Sequence, residues 1–264
     1  MSPFPIRTVQ AERYVTPLRQ GGSLPAVVEA NDGQQYVMKF AGAGQGRKAL
    51  IAELISGEIG RALGLTVPEI VLMRMDENFG RSEPDPEIQD LLRGSVGLNL
   101  GMAYLSGAVE YSPMLKFPVE REDAARIVWF DALVTNVDRT PRNVNMLIWQ
   151  EKLWLIDHGA SLYFHHSWPG YVERAASAFP MSRQHVLLAR SGKLAEADSQ
   201  SKARLTGMDW AGLVAAIPDE WLGGEEIFPD VAAQRQGYVD YLTARLDASD
   251  AFVQEAEKGR TGNG

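Results

Sequence analysis

The stretch 136-NVDRTPRNVNMLIWQEKLWLIDHGASL-162 decides how this chain is read. Its two short apolar runs, VNMLIW and LWLID, flank the turn QEK and read as a pair of strands. Around them stand Asp138, Asn143 and Asp157, at spacings of five and then fourteen. These polar residues admit two readings. They are turn formers beside Pro141 and Gly159, or they are hard oxygen donors for magnesium and a nucleotide phosphate. Gly159 is expected to give the backbone a sharp turn after Asp157.

Working outward, 119-VEREDAARIVWFDALVTNV-137 carries acids in its first turn and an apolar stripe through Ile127, Phe130, Leu133 and Val134. That pattern predicts a long helix leading into the stretch. Near the N-terminus, 13-RYVTPLRQGGSLPAVVEANDGQQYVMKF-40 reads as strands broken at GGSLP and at the tight-turn signal Asn31-Asp32-Gly33. The glycine-rich AGAGQGRK must be loop. A helix follows with Leu50, Leu54, Ile55, Ile59 and Leu63 at helical spacing, closed by a C-cap signal at Gly64. VPEIVLMRM and VGLNLGMAYL predict two more strands, separated by a polar excursion with one short helix. The remainder is mostly helical, and KGRTGNG reads as a frayed tail. Strands come first and helices second, with no internal repeat. The natural boundary lies in the connector near residues 106–116, giving units of 1–108 and 109–258 and a disordered tail at 259–264.

The 264 residues suffice for one large domain or two lobes sharing a cleft. A composition of 45% hydrophobic and 23% charged residues is that of a globular protein. The formal charge of −8 argues against broad binding to nucleic acid or anionic membrane, both of which need a basic surface. There are no cysteines, which excludes disulfides, thiolate zinc sites and a cysteine nucleophile, and fits a cytoplasmic protein. No signal peptide is expected from MSPFPIRTVQ. No stretch approaches the roughly 18 apolar residues of a spanning helix.

Phosphoryl transfer needs charge neutralisation at the phosphates, a divalent metal and a group that aligns the attacking oxygen. Lys39, at the end of the alternating run QYVMK, is placed to aim an ammonium at phosphates. Glu53, fourteen residues on, can hold that ammonium through an ion pair. Asp138, in a loop after the long helix, can receive or orient a substrate hydroxyl. Asn143 and Asp157 offer the magnesium ligands.

YVMK, the helix bearing Glu53, DRTPRN and DHG together resemble the lysine, the helix glutamate, the D-x-x-x-x-N loop and the DFG of protein-kinase-like enzymes. Within that superfamily, AELISGEIGRALGLTVPEI and DALVTNVDRTPRNVNMLIW are most similar to HipA-like kinases, over roughly residues 12–170. The resemblance implies an α+β, bilobal protein-kinase-like fold with a strand-rich N-lobe and a mostly helical C-lobe, binding ATP and magnesium between them. It implies a hinge at Met102, Ala103, Tyr104 and Leu105 near the adenine, and a protein serine or threonine as acceptor. It makes RQGGSLP the candidate phosphate loop, through the amides of Gly21, Gly22 and Ser23, with Ser23 a regulatory phosphorylation site. An antitoxin-like partner is a further family implication.

The sequence also departs from the family's pattern. Asn136-Val137-Asp138 replaces H-R-D, Thr140 stands where the catalytic-loop lysine is expected, and DHG replaces DFG. Arg139 or Arg142 is offered as an electrostatic substitute for that lysine. Neither G-x-G-x-x-G nor A-P-E is present. Two rivals share the same centre: a small-molecule or lipid kinase, and a nucleotide-binding pseudokinase acting as an interaction module. A zinc site at His158, His165 and His166 is disfavoured, because adjacent histidines diverge and no H-E-x-x-H helix exists. Trp129, Trp149 and Trp154 are expected in the core.

Overall fold

The computed structural model describes residues 4–18, 24–81 and 83–262. In chain order it contains β1 (Thr8–Pro17), β2 (Ala26–Ala30), β3 (Gln35–Lys39), α1 (Gly46–Ala62), β4 (Ile70–Met75), α2 (Pro86–Arg93), β5 (Gly97–Ala103) and β6 (Val109–Glu110). There follow α3 (Arg121–Leu133), β7 (Met146–Trp149), β8 (Lys152–Leu155), α4 (Tyr171–Ala175), α5 (Leu194–Leu205), α6 (Trp210–Val214), α7 (Val231–Asp247) and α8 (Ser249–Gly262). The fold is α+β. Among the described residues no helix is long and apolar enough to cross a membrane.

Strands β1 to β5 close into a barrel in the order β1-β2-β3-β5-β4. The closing pair is parallel, with Thr8 opposite Leu72 and Val9 opposite Met73. Asn31-Asp32-Gly33 makes the β2–β3 turn. Gly33 takes a φ of 75°, which costs a residue without Cβ nothing, and its amide donates to the Ala30 carbonyl at 2.9 Å. Along β3 the two-residue period points Tyr36 and Met38 into the barrel core, so Val37 and Lys39 face the other way. Lys39 is thereby aimed out of the barrel.

Helix α1 is buried from Leu50 to Gly60, because it packs into a core that also takes in β5, α3 and β7. It ends at Gly64, whose φ of 76° lets the Leu65 amide turn back to the Gly60 carbonyl at 2.9 Å. The loop ahead of α1 is fixed from outside: the Ala41 amide donates to Asn99 Oδ1 at 2.8 Å and the Gly42 amide to Ser95 Oγ at 3.0 Å. A Cβ on Gly42 would lie 2.7 Å from the Gly94 backbone, so this approach requires glycine.

Strand β6 pairs with β7, and β7 with β8, in a separate three-stranded sheet. Helix α3 runs through the second core, and its last carbonyls are capped from a distance, the Arg245 guanidinium donating to Ala132 O at 2.9 Å. The C-terminus differs from expectation, since α8 continues to Gly262 and residues 259–262 are helical. Gly259 is buried, with Arg183 and Leu188 side chains where its Cβ would stand, so a missing side chain permits close packing where the composition suggested fraying. Trp129 is buried and donates to Asp198, while Trp149 and Trp154 form a half-buried edge-to-face pair.

Candidate active site

Lys39, at the end of β3, projects into a space shared by α1 and the segment after β8. Its Nζ lies 2.5 Å from Glu53 Oε2 and 2.5 Å from Asp157 Oδ1. Glu53 is fully buried, whereas half of the Asp157 side chain is exposed. Burial opposes the Lys39 charge, but the two carboxylates outweigh it and its pKa stands above that of an ordinary lysine. Burial opposes the Glu53 charge too, yet Lys39 and His158 hold that carboxyl well below its usual range. The pair is therefore a committed ion pair at neutral pH.

Sequence reading considered His158 only for a disfavoured zinc site and missed its contact with Glu53. It is fully buried, its Nδ1 lies 3.3 Å from Glu53 Oε1, and its ring stands edge-on to Phe130. Glu53 thus divides its oxygens between Lys39 and His158, which fixes its rotamer. The departure of DHG from DFG was the available signal. His158→Phe would keep the ring contact and remove the hydrogen bond, leaving a buried acceptor partly unsatisfied. We expect a loss of about 1–3 kcal/mol, read as a lower urea midpoint at constant m-value. An unmoved midpoint would show that the bond contributes nothing.

The backbone at Asp157 takes a φ of 55°, in the left-handed region. Gly159 does not, so the sharp turn expected of the glycine is made by the aspartate itself. Asn145 and Leu162 share this conformation, with φ values of 49° and 53°. Each such residue stores on the order of 1 kcal/mol or more, retained where the surroundings over-determine the backbone. Here the Ile156 amide donates to Asn145 O at 3.1 Å and the Leu162 amide to Val134 O at 2.7 Å.

Asp138 lies on the loop between α3 and β7. Thr140 and Asn143 exchange backbone hydrogen bonds at 3.0 and 3.1 Å, closing a two-residue turn with Pro141-Arg142 at its tip. That closure brings the Asn143 amide nitrogen back to Asp138 Oδ2 at 2.6 Å, and the Asn145 amide reaches the same oxygen at 3.4 Å. Burial raises the Asp138 pKa, and the charge of Asp157 pushes the same way, against the Asn145 and Asn143 hydrogen bonds. Asn145 joins Asp138 and Asn143 to the Lys39, Glu53 and Asp157 cluster, since its side chain reaches Asp138 and its carbonyl accepts from Ile156, the neighbour of Asp157. Asn145, two residues past Asn143, is a second residue that sequence reading missed.

Arg139 corrects another expectation. Its side chain is fully buried and points inward, Nε donating to Asp131 Oδ2 at 2.6 Å and Nη1 to the Asn145 carbonyl. It is not available to phosphates. Asp131 also accepts from Asn136 Nδ2 at 2.8 Å and from His185 Nε2 at 2.9 Å. The His185 tautomer follows, since its Nδ1 accepts from the Leu187 amide at 3.0 Å. A buried carboxylate of α3 thus gathers the loop that carries Asp138 and the segment near residue 185.

The remaining candidates divide. Gly21, Gly22 and Ser23 lie outside the described residues. Met102 and Leu105 are buried at the end of β5, Ala103 is half-buried, and Tyr104 is exposed. The Ala103 amide donates to Glu69 O at 2.8 Å and the Tyr104 amide to Gln35 O at 2.9 Å. His165 bonds to the Tyr238 hydroxyl and touches the His166 ring, while His158 is engaged with Glu53. Among the described residues no group of three His, Cys, Asp or Glu side chains is placed to hold a metal. Magnesium at a phosphoryl-transfer site needs only one or two carboxylates plus phosphate oxygens. Asp157 meets that need, and because the Asn143 nitrogen is committed to Asp138, its carbonyl oxygen is the atom left for a cation. The donor set fits.

A Helicobacter pylori proinflammatory kinase, CtkA, is 12% identical and superposes with a TM-score of 0.55, covering 98% of this chain and 100% of that one. A Golgi casein kinase solved with Mn and ADP is 14% identical, with a TM-score of 0.47 over 98% of this chain and 75% of that chain. The CtkA likeness shows a kinase-like fold. No curated protein matches the chain significantly in sequence. The profile of HipA-like kinases, by contrast, matches residues 12–252, nearly the full length. The chain belongs to the HipA-like kinase family, and is a phosphotransferase.

Proposed function

We propose that this phosphotransferase uses ATP with magnesium and moves the γ-phosphoryl group to a serine or threonine hydroxyl of a protein, in a cleft between an N-lobe (1–108) and a C-lobe (109–258). One observation carries the reading. Lys39 stands 2.5 Å from both Glu53 and Asp157, residues drawn from a strand, a helix and a loop up to 118 positions apart.

In this reading Lys39 grips phosphate oxygens, and Glu53, itself fixed by His158, keeps the ammonium aimed. Asp157 and the Asn143 carbonyl would hold magnesium, which when bound neutralises phosphate charge. Asp138 orients the acceptor hydroxyl and takes its proton as the new O–P bond forms and the bond from the γ-phosphorus to the leaving oxygen of ADP breaks. The adenine would be read at Met102–Leu105. With the Ala103 and Tyr104 amides already donated, that recognition falls to the Leu105 amide and to carbonyls. The glycine-rich Gly21, Gly22 and Ser23 are assigned to the phosphates by family resemblance.

The test is labelled ATP with magnesium, incubated with the chain alone and with cell extract, and resolved by mass spectrometry. Label on protein serine or threonine is expected. Label on small molecules or lipids would move the acceptor to those classes, and no label anywhere would leave a nucleotide-binding pseudokinase. Asp157→Ala separately tests metal ligation. It should weaken ADP binding in magnesium by about tenfold or more, seen as a lost thermal shift, with little change in magnesium-free solution. Equal shifts in both chains would remove Asp157 from the metal.

A further inference from the structure

The loop that carries Asp138 also carries an unmatched charge. Arg142 sits at the tip of the turn closed by the Thr140–Asn143 backbone pair, held by Pro141 before it and by its own amide, which donates to Thr140 Oγ1 at 3.4 Å. Its side chain is exposed, and its guanidinium makes no hydrogen bond or ion pair among the described residues. On a chain with a formal charge of −8, an unpaired arginine on a backbone-closed turn next to the residue bonded to Asp138 stands out among the described residues.

That turn forms one wall of a groove of about 540 Å³. Thr140, Pro141 and Arg142 line it together with Arg183, Val186 and Ala189. Arg183 is half-exposed and paired with Glu255 at 2.7 Å, while His185, also at the groove, is engaged with Asp131. Arg142 is therefore the charge left uncompensated, beside aliphatic and backbone surface of a kind that an extended peptide can cover. A guanidinium presents paired donors that match a carboxylate, and prefers it over neutral or cationic groups.

We propose that this groove binds the acceptor as an extended peptide segment and that Arg142 selects an acidic side chain close to the phosphorylated hydroxyl. The inference rests on the kinase reading above and adds its substrate class. Because the arginine is exposed, its selectivity is that of a solvent-screened charge pair, about fivefold between acidic and neutral flanks. Its sign is fixed by the charge at position 142.

The test compares three sets of serine peptides with acidic, neutral or basic flanks, offered with ATP and magnesium to the full chain, Arg142→Ala and Arg142→Glu. The readout is the ratio of kcat/KM between flanks within each protein, so that any common loss of activity cancels. We expect acidic flanks to be favoured about fivefold in the parent chain, a ratio near one in Arg142→Ala and inversion toward basic flanks in Arg142→Glu. An unchanged ratio in Arg142→Glu overturns the proposal. So does an enzyme that labels lysate components but none of the peptides. If no phosphate moves to anything, the kinase reading fails instead. Fluorescence anisotropy of the same peptides with the three chains then decides the groove alone, an absence of flank-dependent binding overturning it.

Discussion

Asp138→Asn is expected to slow phosphoryl transfer by about 10³-fold and to leave the affinity for ADP with magnesium little changed. The substitution removes one charge and the proposed proton acceptor, and keeps the size of the side chain and an oxygen to receive the Asn143 amide, now 2.6 Å from Asp138 Oδ2. The turn from Thr140 to Asn143 is closed by its own backbone bonds, so the loop should survive the change. Asp138→Ala is a harsher experiment, because it strips a partner from both Asn143 and Asn145 and would disturb the proposed metal ligand as well. A gap between the two variants in ADP binding, with equal loss of transfer, would separate proton transfer from loop positioning. Single-turnover transfer from labelled ATP and a thermal shift with ADP supply both readings. Transfer within threefold of the parent chain would strip Asp138 of the assigned role.

The legible parts of this molecule are those whose meaning is local. Alternation in QYVMK already turned Lys39 away from the barrel core, and the turn chemistry of Asp32-Gly33 and the stop at Gly64 stand where the residues put them. The proximity of Lys39, Glu53 and Asp157 was approached through motif order, each motif sitting at a strand end or loop. Closure of the barrel was not legible, because the parallel pairing of β1 with β4 joins segments whose apolar patterns do not name their neighbour. Arg139 shows a different limit. Proximity in sequence to Asp138 suggested the phosphates, but the Arg139 side chain is buried against a carboxylate inside the apolar run IVWFDAL. Asp131 in that run was the overlooked signal, since a buried acid requires a partner. At Asp157 the glycine rule misled because the aspartate itself adopts the left-handed backbone.

Asp131→Asn carries the largest stability effect we expect, a loss of about 3–5 kcal/mol. The Arg139 and Asp131 side chains are almost wholly shielded from water, so removing the carboxylate charge leaves a guanidinium buried without compensation. Burial opposes the Asp131 charge, but Arg139 and His185 outweigh it and hold its pKa well below the usual carboxylate range. A group depressed on folding contributes stability that is complete above its unfolded value, about 3.9, and is lost as pH falls through the folded one. The parent chain and the variant should therefore differ by a nearly constant amount from about pH 5 upward and converge in acid. Urea denaturation across that range measures the gap, and a gap that widens below pH 4 would refute the linkage. Joint replacement, Asp131→Leu with Arg139→Met, should recover much of the loss, because a buried pair exchanged for apolar groups is often nearly neutral. Recovery stops short of complete, since Arg139 also serves the Asn145 carbonyl. That carbonyl belongs to the residue whose side chain reaches Asp138, and it accepts from Ile156, the neighbour of Asp157. The double variant should thus fold and still transfer phosphate poorly, which separates what the ion pair does for stability from what it does for the geometry of the site.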